Sequence, residues 1–263
     1  MSPARIDTQE GAGAPLRPTK KAPSAAAPSA PGHPVGRDGG PGMFDSIAPR
    51  YDLLNRVLSA GVDVGWRKRA LRALNVPPGG VILDLCTGTG DFGLQALSLP
   101  GVRVIGLDVA REMVRIGRDK VRRQGLADRF RLGLGDAEQL PLPDQSVDGA
   151  LIAFGIRNVV DRPRALRELA RVLRPGARLV ILEFGIPPNP LFRGLYFFYF
   201  RRILPLIGGI LSGNRHAYEY LPDSVRRFPA PEEFCVAHRA AGFSEARCER
   251  LTFGITNLYV ATR

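Results

Sequence analysis

The sequence predicts an α/β fold: a mostly parallel, doubly wound sheet closed at its C-terminal end by an antiparallel hairpin. Three observations predict it. Short apolar runs alternate five times with segments of helical periodicity between residues 81 and 184. The first of those runs passes straight into a glycine-rich turn. Two further runs, near 244–251 and 255–262, lie close enough together to pair as a hairpin.

The elements follow in order. Helical periodicity is expected over about 50–59 and 62–74, where two helices precede the first strand as a candidate lid. VILDL (81–85) is a buried strand, followed by a helix through Leu97. VRVIGLD (102–108) is the second strand. The stretch 110–124 is a helix, since Met113, Ile116, Gly117 and Val121 fall on one face. FRLGLGD (130–136) and VDGALIAF (147–154) are the third and fourth strands. Over 161–173 the spacing of Leu166, Leu169, Ala170 and Leu173 gives an amphipathic helix. Arg174-Pro175-Gly176 is read as its terminator, with the fifth strand at 177–184. An insertion over roughly 187–222 acts as a cap, and a helix at 231–241 ends at Gly242.

Residues 1–42 contain eight Pro, seven Gly and eight Ala and no aromatic residue, too little apolar surface to offset the entropy of ordering. A disordered tail is expected there, with the folded domain at 43–263. The tail holds five basic and three acidic residues, so about +10 of the total +12 belongs to the folded part. Such a charge favours anionic partners without choosing among nucleic acid, acidic lipid and a charged cofactor. Three cysteines and three histidines show no ligand spacing, so no metal and no disulfide framework are predicted. The N-terminus carries no apolar stretch of the leader type, so a cytoplasmic location is expected.

The chemistry concentrates in Asp84-Leu-Cys-Thr-Gly88-Thr89-Gly90-Asp91, where a strand turns into a helix. Glycine permits the sharp turn and close approach of a ligand to the backbone. Thr89 offers a hydroxyl and an N–H. Asp108, 18 residues beyond Gly90 at the end of the next strand, can accept from both hydroxyls of a ribose. The spacing Gly88-x-Gly90-x-x-Gly93 suits a nicotinamide dinucleotide as well as S-adenosyl-L-methionine. Two features favour the latter. Carboxylates at Asp84 and Asp91 suit a cationic tail and repel a pyrophosphate. Asp136 and Ala137, after the third strand, present an acid and an N–H to an adenine edge. The competing reading of Asp136 is a helix N-cap.

Longer motifs carry a resemblance across about residues 43–262. Tyr51-Asp52-x-x-Asn55-x-x-x-Ser59-x-Gly61 with Trp66, Phe154-Gly155-Ile156-Arg157-Asn158, Arg171-Val-Leu-Arg-Pro175-Gly176 with Glu183-Phe184, and Tyr218-x-Tyr220-Leu221-x-x-Ser224 with Phe228-Pro229 resemble the ubiquinone/menaquinone biosynthesis C-methyltransferases. The sequence departs from that pattern at Leu54, Asp63, Ala153 and Gly185, where the family has Met, His, Ser and Ser. The resemblance implies a class I Rossmann-like methyltransferase fold with a seven-stranded sheet. It implies S-adenosyl-L-methionine as methyl donor, held at Asp84, Gly88, Thr89, Gly90, Asp108, Asp136 and Ala137. It implies C-methylation of a polyprenylated quinol, 2-demethylmenaquinol to menaquinol, as the last step of menaquinone biosynthesis. The alternative acceptor is a benzoquinol of the ubiquinone pathway. A nucleic-acid methyltransferase is a further alternative, against which stand the missing Asn/Asp-Pro-Pro-aromatic and Pro-Cys motifs.

A ring carbon is a weak nucleophile until a neighbouring hydroxyl ionises, so the site needs a base or a cation that stabilises the phenolate. Arg157, just beyond the fourth strand, is the candidate for that cation, with a structural ion pair as the competing reading. Tyr51 is the second catalytic candidate, with a packed helix aromatic as its alternative. Asn158 and His216 are weaker candidates. LFRGLYFFYFRRILPLIGGIL (191–211) is apolar but interrupted by Arg201, Arg202 and Pro205, which predicts an interfacial or substrate-covering helix and peripheral membrane contact rather than a span. A buried core helix or a homodimer helix is the competing reading of this segment.

Overall fold

The computed structural model describes residues 61–199, 202 and 216–263, together with Gly42, Asp45 and Ala48. The tail up to residue 41, the helix expected at 50–59 with Tyr51, and the middle of the cap insertion lie outside the described residues.

Seven strands form one sheet: β1 (Val81–Leu85), β2 (Arg103–Asp108), β3 (Phe130–Leu134), β4 (Val147–Ala153), β5 (Leu173–Phe184), β6 (Glu245–Leu251) and β7 (Thr256–Thr262). Their spatial order is β3-β2-β1-β4-β5-β7-β6. The first five run parallel, and β7 lies antiparallel between β5 and β6. The expected hairpin is therefore present, with β7 inserted beside β5.

Each buried strand sends alternate side chains to opposite faces, and each face is covered by helices. On one, Ile82, Val104, Leu151, Val180 and Leu258 pack with α1 (Val62–Leu74), α2 (Asp91–Ala96) and α3 (Arg111–Arg123). On the other, Leu83, Ala150, Ile152, Leu179, Ile181 and Tyr259 pack with α4 (Arg162–Val172) and α7 (Pro231–Ala240). Asp161 starts α4 by accepting a hydrogen bond from the Arg164 N–H, and Pro163 occupies its first turn, where a missing N–H costs nothing. Of the cap insertion, α5 (Pro190–Phe198) and α6 (His216–Arg227) are described. No helix of the described residues is long and apolar enough to cross a membrane.

One boundary differs from expectation. Arg174-Pro175-Gly176 lies inside β5, not before it. Val147 pairs with Leu173 and Gly149 with Arg178, so the intervening residues of β5 bulge out of the ladder. A bulge is where a central strand tolerates Pro and a left-handed Gly, and Gly176 has φ +78°. Arg174 secures it by pairing with Asp148 and donating to the Gln145 carbonyl, while the Gly176 N–H donates to the Arg263 carbonyl.

The chain runs outward from β1 to β2 and β3, then returns to the other side of β1 as β4. Where the order reverses, loops leaving β1 and β4 diverge and open a crevice at the carboxyl ends of the strands. Asp84, Gly88, Thr89, Gly90, Asp108, Asp136, Ala137 and Arg157 all follow or end strands at that edge.

Candidate active site

The crevice is built from β1 outward. The Gly88 and Gly90 backbones are left-handed, with φ +56° and +84°, which lets the loop turn tightly into α2. Asp84, at the end of β1, is buried and its Oδ2 accepts from Thr87 Oγ1 at 2.5 Å and from the Gly93 N–H at 2.9 Å. A side chain at Gly93 would strike Phe130 and Asp84 Oδ2, so only glycine lets α2 approach this carboxylate. Burial pushes the Asp84 carboxyl up to about 6, against the opposing effects of the Thr87 hydroxyl, the Arg67 charge and the Gly93 N–H.

Asp108 ends β2 and braces the same loop. One oxygen accepts from the Gly88 N–H at 2.8 Å and the other from the Ala110 N–H at 2.9 Å. A carboxylate has about four acceptor sites, so the pair retains capacity for ligand hydroxyls. Burial raises its pKa, with the backbone N–H groups acting in the other direction. Thr89 is buried, and Lys120 of α3 reaches both Thr89 Oγ1 at 3.2 Å and Asp91 Oδ1 at 2.6 Å. Asp91 thus lines the crevice already ion-paired, which leaves Asp84 as the loop carboxylate suited to a cation.

Asp84, Gly88, Thr89, Cys86, Phe92 and Phe154 line one crevice, and Arg67 of α1 closes it. Asp108 is attached through Gly88. Asp136 and Ala137 follow β3 and are not among the residues lining this crevice. Asp136 holds a turn, accepting from the Glu138 N–H at 2.9 Å and bridging to Gln139, so it caps a turn and not a helix.

On the β4 side, Cys86 and Phe154 face the same strand ends with φ +56° and +58°, conformations that cost non-glycine residues about 1–3 kcal/mol and cluster at functional sites. Gly155 packs so close to Cys86 that a Cβ there would stand 2.3 Å from the Cys86 Cβ. Next comes Arg157. Its guanidinium pairs with Glu183 Oε1 at 3.0 Å, donates to the Phe154 carbonyl and to Ser224 Oγ at 3.3 Å, and lies over the Phe184 ring. Glu183, fully buried, also accepts the Arg157 backbone N–H. The Tyr220 hydroxyl donates to Asn158 Oδ1 at 3.2 Å, so α6 is tied to the loop at two points. Trp66, Phe154 and Phe184 form an aromatic run over this junction.

Sequence reasoning assigned no role to Arg67, Lys120 or Glu183. Glu183 stood in a recognised motif without a partner. Arg67 had one signal, an acidic residue four positions earlier on a helix, at Asp63.

Comparison with known proteins gives the family. A model of the ubiE/COQ5 methyltransferase family matches residues 38–263. The chain belongs to that family. It is 52% identical over 223 residues to the demethylmenaquinone methyltransferase of Thermus thermophilus, a match spanning 84% of this chain and 100% of that protein. It is 47% identical over 223 residues to a ubiquinone/menaquinone biosynthesis C-methyltransferase of Geobacter sulfurreducens, covering 84% and 87%. A crystal structure of an S-adenosylmethionine-dependent methyltransferase from Thermotoga maritima, 21% identical, superimposes with a TM-score of 0.58 over 84% of this chain and 98% of that one, which shows the shared fold. The protein is an S-adenosylmethionine-dependent methyltransferase. Its crevice fits that donor: glycines where the backbone must be approached, a ribose-type acid at Asp108, a buried carboxylate at Asp84, and a buried Arg67 Nε without a hydrogen-bond partner among the described residues.

Proposed function

We propose that this enzyme methylates a ring carbon of a polyprenylated demethylmenaquinol, with Arg157 as the cation that stabilises the ionised ring hydroxyl. The observation that carries the reading is the continuity between the two halves of the site. Ala153 and Phe154 line the donor crevice, and Arg157 is anchored to the Phe154 carbonyl. The acceptor assignment draws on the names of the Thermus relative and of a 46% identical Deinococcus radiodurans protein, both demethylmenaquinone methyltransferases.

When bound, S-adenosylmethionine supplies a methyl group on a positively charged sulfur. Asp84, Thr89 and Asp108 would hold it, and with Asp136 and Ala137 at the neighbouring strand end they fix where the reacting carbon must sit. Positioning of this kind supplies much of the rate of an in-line displacement. A guanidinium is a permanent cation, so the role of Arg157 is to lower the cost of a phenolate beside it, not to take a proton. Glu183 and Ser224 hold its guanidinium in place. Tyr51 remains our second candidate for the ring oxygen.

The cap supports a greasy substrate. On α5, Leu191, Leu195 and Phe198 are exposed at helical spacing while Phe192 stacks on Phe253 at 4.7 Å. This face would meet the isoprenoid tail where it leaves the bilayer, at the inner surface of the membrane.

The test is a methyl-transfer assay with labelled donor and two reduced acceptors, a demethylmenaquinol analogue and a benzoquinol lacking the ring methyl. Label on the naphthoquinol carbon is expected; label on the benzoquinol alone would reassign the acceptor. Flotation with anionic vesicles tests the cap: Leu195→Glu should reduce recovery with lipid, and self-association without lipid binding would give the face to a homodimer instead.

A further inference from the structure

We infer that Arg67 is the seat for the α-carboxylate of the donor's amino-acid tail, so that the crevice reads that tail as a zwitterion, Asp84 taking the ammonium and Arg67 the carboxylate. The inference rests on the donor being S-adenosylmethionine and is independent of the acceptor.

Arg67 projects from α1 into the crevice that Asp84, Thr87 and Gly88 line from the other side. Its side chain is 9% exposed. A guanidinium carries five donors, and burying them without acceptors is costly. Among the described residues, Arg67 has one ion pair, with Asp63 Oδ2 3.4 Å from Nε, and that contact is too poorly aligned to be a hydrogen bond. The Phe92 ring covers one face of the guanidinium, its centroid 5.5 Å from Cζ. Ring and carboxylate fix the plane of the fork, and its buried Nε has no acceptor among the described residues. A planar fork held beside an open crevice is matched by a carboxylate, which accepts two parallel N–H bonds.

Charge places the two ends of the tail. Asp84 and Arg67 lie near enough for the arginine to favour the ionised carboxylate. An ammonium and a carboxylate on one α-carbon would therefore meet opposite charges in the one crevice that both residues line. Asp63 acts as a positioning residue, one helical turn before Arg67 and itself buried. It stands where the resembled family has His, so in this protein the brace is a formal charge.

The test is calorimetric binding of two ligands to the full-length protein: S-adenosylhomocysteine, and its decarboxylated counterpart, which keeps the ammonium and lacks the carboxylate. The unaltered protein should prefer S-adenosylhomocysteine by about 10- to 100-fold, the range of a charge-assisted hydrogen-bonded contact. Arg67→Met, which keeps the length and packing of the side chain, should abolish that preference, S-adenosylhomocysteine losing far more affinity than the decarboxylated ligand. Arg67→Lys should restore part of it. If Arg67→Met weakens both ligands equally, or the preference survives it, the assignment is wrong and Arg67 is a packing residue. Methyl transfer to neither quinol, with the ligand preference intact, would sink the acceptor reading and leave this one standing.

Discussion

Arg157 and Arg67 are buried to the same degree, 8% and 9% exposed at the side chain, in two neighbouring parts of one site, yet their surroundings differ in kind. Arg157 has a buried carboxylate, a carbonyl and a hydroxyl as acceptors. Arg67 has one misaligned carboxylate and an aromatic face. A buried arginine with its donors met is a fixed component whose value lies in where it holds its charge. One with donors to spare is incomplete until a ligand arrives. On the roles proposed above, the acceptor side is preformed by the protein, whereas the donor side would be completed by what it binds.

Removing each arginine separates the two conditions. Arg157→Ala leaves Glu183 fully buried without its ion-pair partner, which should cost about 3–5 kcal/mol in urea denaturation. Arg67→Met strips the buried Asp63 of a partner held only through a misaligned contact, and should cost less than Arg157→Ala. Equal losses would erase the distinction. Because Arg157→Ala confounds folding with catalysis, Arg157→Met with Glu183→Gln is the sharper variant. Removing both charges should recover most of the stability and none of the methyl transfer, and recovered activity would show that Arg157 serves only the fold.

The same contrast runs through the buried titratable groups away from the arginines. His238 of α7 is 1% exposed, packed among Phe234, Phe243 and Tyr259, with Nδ1 on the Phe234 carbonyl at 2.7 Å. Burial, with the Arg239 charge, lowers its pKa to about 4. Its folded pKa thus lies below the ordinary value near 6.5, so between those limits the unfolded state binds more protons. Its contribution is fully present above about pH 6.5 and is lost as pH falls toward 4, about 3 kcal/mol over the window. His238→Asn should flatten the acid limb of a stability–pH curve between pH 4 and 6.5, apart from a constant packing loss. An unchanged slope would mean that other groups set it.

Legibility in the sequence follows how local each feature is. The loop from Asp84 to Gly90, and Asp108 after it, were readable because turn chemistry and strand spacing fix their places within some twenty residues of one another. The two cores were readable because period-2 and period-3.6 patterns specify which side chains go inward. Pairings across the fold were not. Arg157 meets Glu183 26 positions later, and Lys120 meets Asp91 29 positions earlier, because β5 and α3 happen to bring them there. Asp91 therefore read as a free carboxylate on the loop when it is already neutralised. The Pro175-Gly176 pair read as a terminator because its local preference is a turn; only the contacts of Arg174 and the Gly176 N–H reveal a bulge that keeps the strand running.

The smallest effect tests the ligand-completed half directly. Asp84 carries its charge at a cost, since burial raises its carboxyl to about 6. With the folded pKa above the usual 3.8, ionising Asp84 destabilises the free protein as pH rises through that range. An ammonium bound beside it reverses the balance by favouring the ionised form. Affinity for S-adenosylhomocysteine should then be level above pH 6 and weaken below it, by up to about tenfold, or 1.4 kcal/mol, per pH unit. Asp84→Asn should bind more weakly at pH 7.5 and show a flatter profile down to pH 5, while retaining the preference for the carboxylated ligand that Arg67 confers. A profile in the unaltered protein that is flat from pH 5 to 7.5 would mean that the ammonium is held elsewhere on the loop. Arg67 and Asp84 would then no longer act as the two halves of one zwitterion site.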